Sequence, residues 1–272
     1  VYTSYNRVDN MSMIAGAKLI RNNITTRAVS KFAQDKLTLD AKVQFNNMES
    51  RNRPLGGPDL GNNIFALMYN FPRSMDILDF KDYLNPNGTM RWWGSGNGLN
   101  PYWTEKNRLN NDVRDRFIMS GSLKYNIAKW LDAEIRGGSD MYTTSTESKV
   151  YGGSPLTATG RYSMGKETFI ETNYSAMLNA RKDNIVGNLG GAVMVGGNLM
   201  NQKYSSLSAS AGELEVPNLF SLNNSSTNPS VGQGFSQRKI NSLYGSVQLN
   251  YDGFFFVDAI LRNDWSSTLS PA

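Results

Sequence analysis

Three groups of residues could do chemistry. The first is a run of aromatics in 86–104, where Trp92, Trp93, Tyr102 and Trp103 stand among Gly and Asn. Such rings can stack on a sugar face or anchor a protein interface; equally, they can pack against neighbouring loop segments to order a long connection. The second is the alternating charged set Asp40, Lys42, then Asp132, Glu134, Arg136, then Asp258, Arg262. Each alternates with apolar neighbours, so these side chains share a wet face, facing either water or a packed plug. The third is a pair of glycine runs, Gly94-Ser95-Gly96 and Gly190-Gly191. They lack the strand-to-helix setting of a phosphate cradle.

Catalysis finds little support. The 272 residues contain no His and no Cys, which removes the usual general base, the thiolate nucleophile and the commonest metal ligands. No paired carboxylates flank a recognisable cleft, and no acidic spacing fits a calcium loop. We expect no metal, no cofactor and no enzyme. The net charge of +5 is small and the basic residues are dispersed, so a nucleic-acid partner is not expected.

The elements that position these groups are strands. From Leu37 to Phe45 every second residue is apolar, while Thr38, Asp40, Lys42 and Gln44 occupy the other face. The run length suits a tilted strand crossing a bilayer, which takes about 9–11 residues. Nine such segments are expected at 1–7, 23–33, 36–47, 116–126, 131–142, 168–181, 185–197, 238–251 and 254–265. Tight turns are expected at 34–35, 127–130, 182–184 and 252–253. Asp252 followed by Gly253 signals a type I′ hairpin. Between them lie long polar connections, 48–115, 143–167 and 198–237, with a shorter one at 8–22.

Short and long connections alternate, as the short periplasmic turns and long extracellular loops of an outer-membrane barrel do. Phe32, Tyr125, Trp130, Tyr251, Phe254 and Phe255 stand beside the tight turns, where an interfacial girdle would lie. The alternative is that they fill an ordinary core. A barrel must close, and bacterial barrels use an even strand count. Nine strands, with no leader before Val1, therefore predict an all-β interior fragment of a large antiparallel transmembrane β-barrel across 1–272. The closing strands would lie outside it. A passive porin or adhesin barrel, or a soluble secreted β-rich module, would also use such strands.

Several runs resemble the SusC/RagA family of TonB-dependent outer-membrane transporters of Bacteroidetes. They are KLTLDAKVQFNNMESRNRPLGG (36–57), NIFALMYNFPRSMDI (63–77), NPYW (100–103) with RDRF (114–117), LNARKDNIVGNLGGAVMVGGN (178–198), LFSLNNSS (219–226) and FFFVDAILRNDWSSTL (254–269). The resemblance implies a barrel of about 22 strands with an N-terminal plug, a SusD-like surface lipoprotein as lid, energy from TonB, and import of oligosaccharides or oligopeptides. It implies an outer-membrane location, with lipid or lipopolysaccharide around the wall. The Trp-rich loop inclines the expectation toward glycans. On this view Trp92, Trp93, Tyr102 and Trp103 contact ligand or lipoprotein, and the alternating charged residues face the lumen or plug.

Overall fold

The computed structural model describes residues 1–14, 16–53, 64–94 and 98–269. Nine antiparallel strands form one sheet in chain order: β1 Tyr2–Met11, β2 Lys18–Phe32, β3 Leu37–Arg51, β4 Arg108–Ala128, β5 Leu131–Tyr151, β6 Gly160–Val186, β7 Leu189–Glu213, β8 Ser230–Tyr251 and β9 Phe255–Ser266. Two short helices, α1 Ile64–Asn70 and α2 Pro101–Asn107, lie in the connection between β3 and β4. Among the described residues no helix is long and apolar enough to cross a membrane.

Register turns local alternation into two continuous faces. In an antiparallel pair, opposed residues point to the same side. One row runs Tyr5, Ile24, Phe45, Phe117, Met141, Ile170 across six strands. A second runs Phe32, Leu37, Tyr125, Ala133, Leu178, Val195, Gly245, Leu261 across eight. Phe45 and Phe117 touch, with ring centroids 4.7 Å apart. A soluble sheet would cover this face with a second layer. Here it is bare: Val195 is 53% exposed, Leu199 57% and Leu261 78%. The solvent for such a face is the hydrocarbon of a bilayer. The apolar band on β5, Leu131 to Met141, measures about 33 Å along the strand, or roughly 25 Å at the ~40° tilt usual for such barrels. Phe32, Tyr125, Trp130, Tyr251, Phe254 and Phe255 are all exposed at its lower, tight-turn edge, where a girdle meets the interface.

All nine expected strands are present, but several are longer than their alternation shows. β6 has 27 residues and β7 has 25. The polar connections expected at 143–167 and 198–237 shrink to 152–159 and 214–229; that of 48–115 shrinks to 52–107, and 8–22 to a turn at 12–17. Above the apolar band both faces of the wall are polar, so the strand continues where the period-2 signal ends.

The lower turns fall at 33–36, 129–130, 187–188 and 252–254. Asp252 and Gly253 have φ of 54° and 71°, the left-handed pair that a type I′ turn requires. The turn expected at 182–184 lies instead at Gly187 and Asn188. Pairing is interrupted between Lys182 and Val186 and resumes at Val186 with Leu189, so Ile185 belongs to β6. The polar Lys182, Asp183 and Asn184 form an irregular strand end, and Gly187, with φ 58°, supplies the reversal.

Candidate functional site

The charged residues singled out by alternation all lie on the face opposite the apolar band, but they do not converge. Asp40 on β3 accepts two hydrogen bonds from Arg27 on β2, at 2.9 and 2.5 Å. Lys42 is in register with Arg27 and Ser120. On β5, Asp132 lies 3.3 Å from the Lys124 ammonium and accepts from Asn179 at 2.9 Å. Glu134 takes both donors of Arg136, at 2.7 and 2.9 Å. On β9, Asp258 is in register with Gln248, and Arg262 donates to Asp264 at 3.0 Å and to Ser242 at 3.1 Å. These are half-exposed pairs between adjacent positions, where solvent screens most of the attraction. They make a wet wall with balanced charge.

A denser group lies higher on the same face, at positions that alternation did not single out. Arg116, Tyr142, Phe169 and Tyr204 form one row across β4 to β7. The rings of Tyr142 and Phe169 stack at 5.0 Å and 16°. The Arg114 guanidinium lies 4.7 Å from the Tyr142 centroid, a cation–π distance. Arg114 also donates to Thr144 at 2.8 Å and to Glu167 at 3.4 Å, and the Tyr204 hydroxyl donates to Glu167 at 3.1 Å. Arg116 pairs with Asp140 through its Nε and Nη2 donors. The group combines planar donors, carboxylate acceptors and apolar edges. It can hold an extended polar solute. Among the described residues no three His, Cys, Asp or Glu side chains gather as metal ligands would.

The aromatic connection between β3 and β4 builds a small core of its own above the sheet. Asn100 caps α2: its Oδ1 accepts from the Tyr102 backbone N–H at 2.9 Å, and its Nδ2 donates to the carbonyls of Phe80 and Arg91 at 2.8 and 2.9 Å. That fixes Trp103, 1% exposed, against Met90 and Leu99, with Tyr83, Trp92, Val150, Tyr151 and Leu156 around them. Trp92 sits between Phe71 at 5.7 Å and Phe80 at 5.1 Å, and Trp93 meets Trp92 at 6.2 Å. Tyr102 is half-buried. Ser95 and Gly96, and residues 54–57 and 63 of the family-like runs, lie outside the described residues.

A second clasp ties the neighbouring loops. Glu213 ends β7 and accepts from Thr157 at 2.6 Å, Thr159 at 3.2 Å and Arg161 at 3.3 Å. Burial pushes its carboxyl up, but these hydrogen bonds together outweigh burial and hold it below the ordinary value. Burial, then the hydrogen bond to Glu147, pushes the Tyr162 phenol up. Asn224 is held by the carbonyls of Val216 and Leu219, both at 2.8 Å.

No family model and no curated protein matches the chain. Solved structures do. A chain in the structure of the RagAB peptide transporter superposes with a TM-score of 0.78 at 17% identity, covering 98% of this chain and 31% of that one. The RagAB peptide importer in its open-open state gives 0.77 at 18% identity, with 97% and 29% covered. The closed-closed state gives 0.76 at 17%, again with 97% and 29% covered. The chain thus spans about a third of the length of these proteins. Its fold is that of a stretch of the chain in these RagAB structures.

Proposed function

We propose that the chain forms part of the wall of an outer-membrane import channel, working with a SusD-like surface lipoprotein and driven through TonB from outside these residues. The observation that carries this reading is the two-faced wall: a continuous apolar band on one side, and on the other a polar face that continues well above the membrane. A conduit needs that division and needs no chemistry, so the chain acts as a transporter segment and not as an enzyme.

Oligopeptides are the better substrate. Stacking on a glycan calls for open ring faces. In the upper lumen group, Tyr142 has Phe169 stacked on it and Arg114 beside it; in the loop, Trp103 is buried. What the wall leaves open is a balanced set of donors and acceptors, suited to peptide amides and termini. The name of the structural neighbours, peptide transporter and peptide importer, agrees with this.

The test is to purify the full-length protein with its partner and identify bound solute by mass spectrometry. Co-purified short peptides, lost when Arg116 and Glu167 are replaced together by Met and Gln, are expected. Bound glycan would overturn the peptide reading. Uptake that persists without TonB would overturn active import in favour of a passive pore.

A further inference from the structure

One pocket is unrelated to the lumen. It opens on the apolar-band side of the wall, above the band, where β3, β4 and β5 pass one another. Arg51, Asn111 and Glu147 form one row across the three strands, with Glu49 below and Leu109 and Lys149 above. Asn111 lies an even six residues from Phe117, so it shares the face that meets the bilayer. The cavity is about 240 Å³, room for a single sugar ring with some water.

Its chemistry is specific. Arg51 donates to Glu49 at 2.5 Å, and Lys149 lies 3.0 Å from Glu147. The Tyr162 hydroxyl also donates to Glu147, at 3.0 Å. Two carboxylates and two cations leave little net charge, while Leu109 supplies an apolar patch. Between them the Asn111 Oδ1 is buried with no hydrogen-bond partner. An unpaired buried acceptor is costly, and a hydroxyl donor brought by a ligand would satisfy it. A polyhydroxylated ring offers vicinal hydroxyls to the carboxylates and amide, and a C–H face to Leu109.

Height selects the source. Six residues are about 20 Å of strand, or roughly 15 Å above the last apolar row at a ~40° tilt. An ordinary headgroup layer extends only about 5–8 Å beyond the hydrocarbon. A phospholipid therefore falls short, and a lipid with a longer saccharide headgroup reaches. We propose that this pocket binds a sugar of an outer-leaflet glycolipid, anchoring the outside of the wall to the saccharide layer.

The test uses the full-length protein, extracted from its own membrane in mild detergent, with bound lipid counted by native mass spectrometry. Asn111→Leu and Glu147→Gln are compared with wild type, and folding of each is checked by heat-modifiable gel migration. Wild type should retain glycolipid, and each folded variant should lose at least fivefold. The deacylated headgroup oligosaccharide should compete the glycolipid from wild type. Retention of phospholipid only, equal retention by both variants, or failure of the free headgroup to compete would each overturn the proposal. Solute uptake should be unchanged in both variants, because the site lies outside the lumen; the result is therefore independent of whether import is active.

Discussion

Val195 and Met194 are adjacent on β7 and point to opposite faces, so they test the orientation of the wall with one chemical change. Val195 is opposed to Leu178 and Gly245 near the middle of the apolar band, and is 53% exposed. Met194 is opposed to Asn179 and Ser246 on the polar face. Lys at mid-bilayer on a barrel's lipid face costs about 2–4 kcal/mol. Val195→Lys also forfeits about 1.5 kcal/mol of apolar transfer, so the total is about 4 kcal/mol or more, close to a thousandfold in the folding equilibrium. Met194→Lys enters a hydrated, hydrogen-bonding row and should cost no more than about 1 kcal/mol. The assay is reversible urea unfolding of the full-length barrel in lipid vesicles, followed by tryptophan fluorescence. A loss at Val195 that exceeds the loss at Met194 by about 3 kcal/mol is expected. Equal losses, or a greater loss at Met194, would refute the assignment of faces.

The loop core should behave as a separate unit: Trp103→Ala removes a fully buried ring, costs about 3–5 kcal/mol locally, and should open 64–94 and 98–107 to trypsin while the barrel keeps its heat-modifiable migration. The loop clasp should be acid-sensitive. Glu213 has a lowered carboxyl in the fold, so its contribution is complete above the ordinary carboxylate value of about 4.3 and is lost as pH falls below it through the folded value. Hydrogen exchange in 214–229, corrected for intrinsic rates, should therefore rise in acid, and Glu213→Gln should reproduce that rise at neutral pH. At the β8–β9 hairpin, Gly253 has φ 71° and open space where a Cβ would stand. Gly253→Ala should thus cost about 1–2 kcal/mol from backbone strain alone, read as a fall in Tm.

How much of this was legible depended on local signal. Asp252 with Gly253 announces its turn because both residue types tolerate positive φ, and the structure places the reversal there. Lys182, Asp183 and Asn184 read equally well as a turn, since polar residues at a strand end look alike whether the chain reverses or merely loses pairing. The deciding residue was Gly187, five positions on. Trp103 carried a further ambiguity: an aromatic in a segment rich in Gly and Asn reads either as an exposed contact or as loop packing, and Asn100 caps a helix that turns it inward. Three side-chain bonds from Asn100 fix that geometry, and none of them has a sequence pattern beyond the Asn-Pro start of α2.

The larger gap has one physical cause. Period-2 alternation records a difference between the environments on the two sides of a strand. Within the apolar band that difference is lipid against water, and Leu37 to Phe45 shows it fully. Above the band both sides are wet, so selection for apolar residues on one side lapses. The sequence there is mostly Ser, Thr, Asn, Glu and Lys in no fixed order, as in 143–150 or 201–210. Those stretches look like loops and are strands, stiffened by the same ladder hydrogen bonds as the membrane part. The lumen group around Arg116 and Tyr142 and the outward pocket at Asn111 both stand on this wet extension. The residues proposed to contact solutes are thus set on rigid strands in a region where the strand has no sequence signature, and only the register across β3 to β7 brings them together.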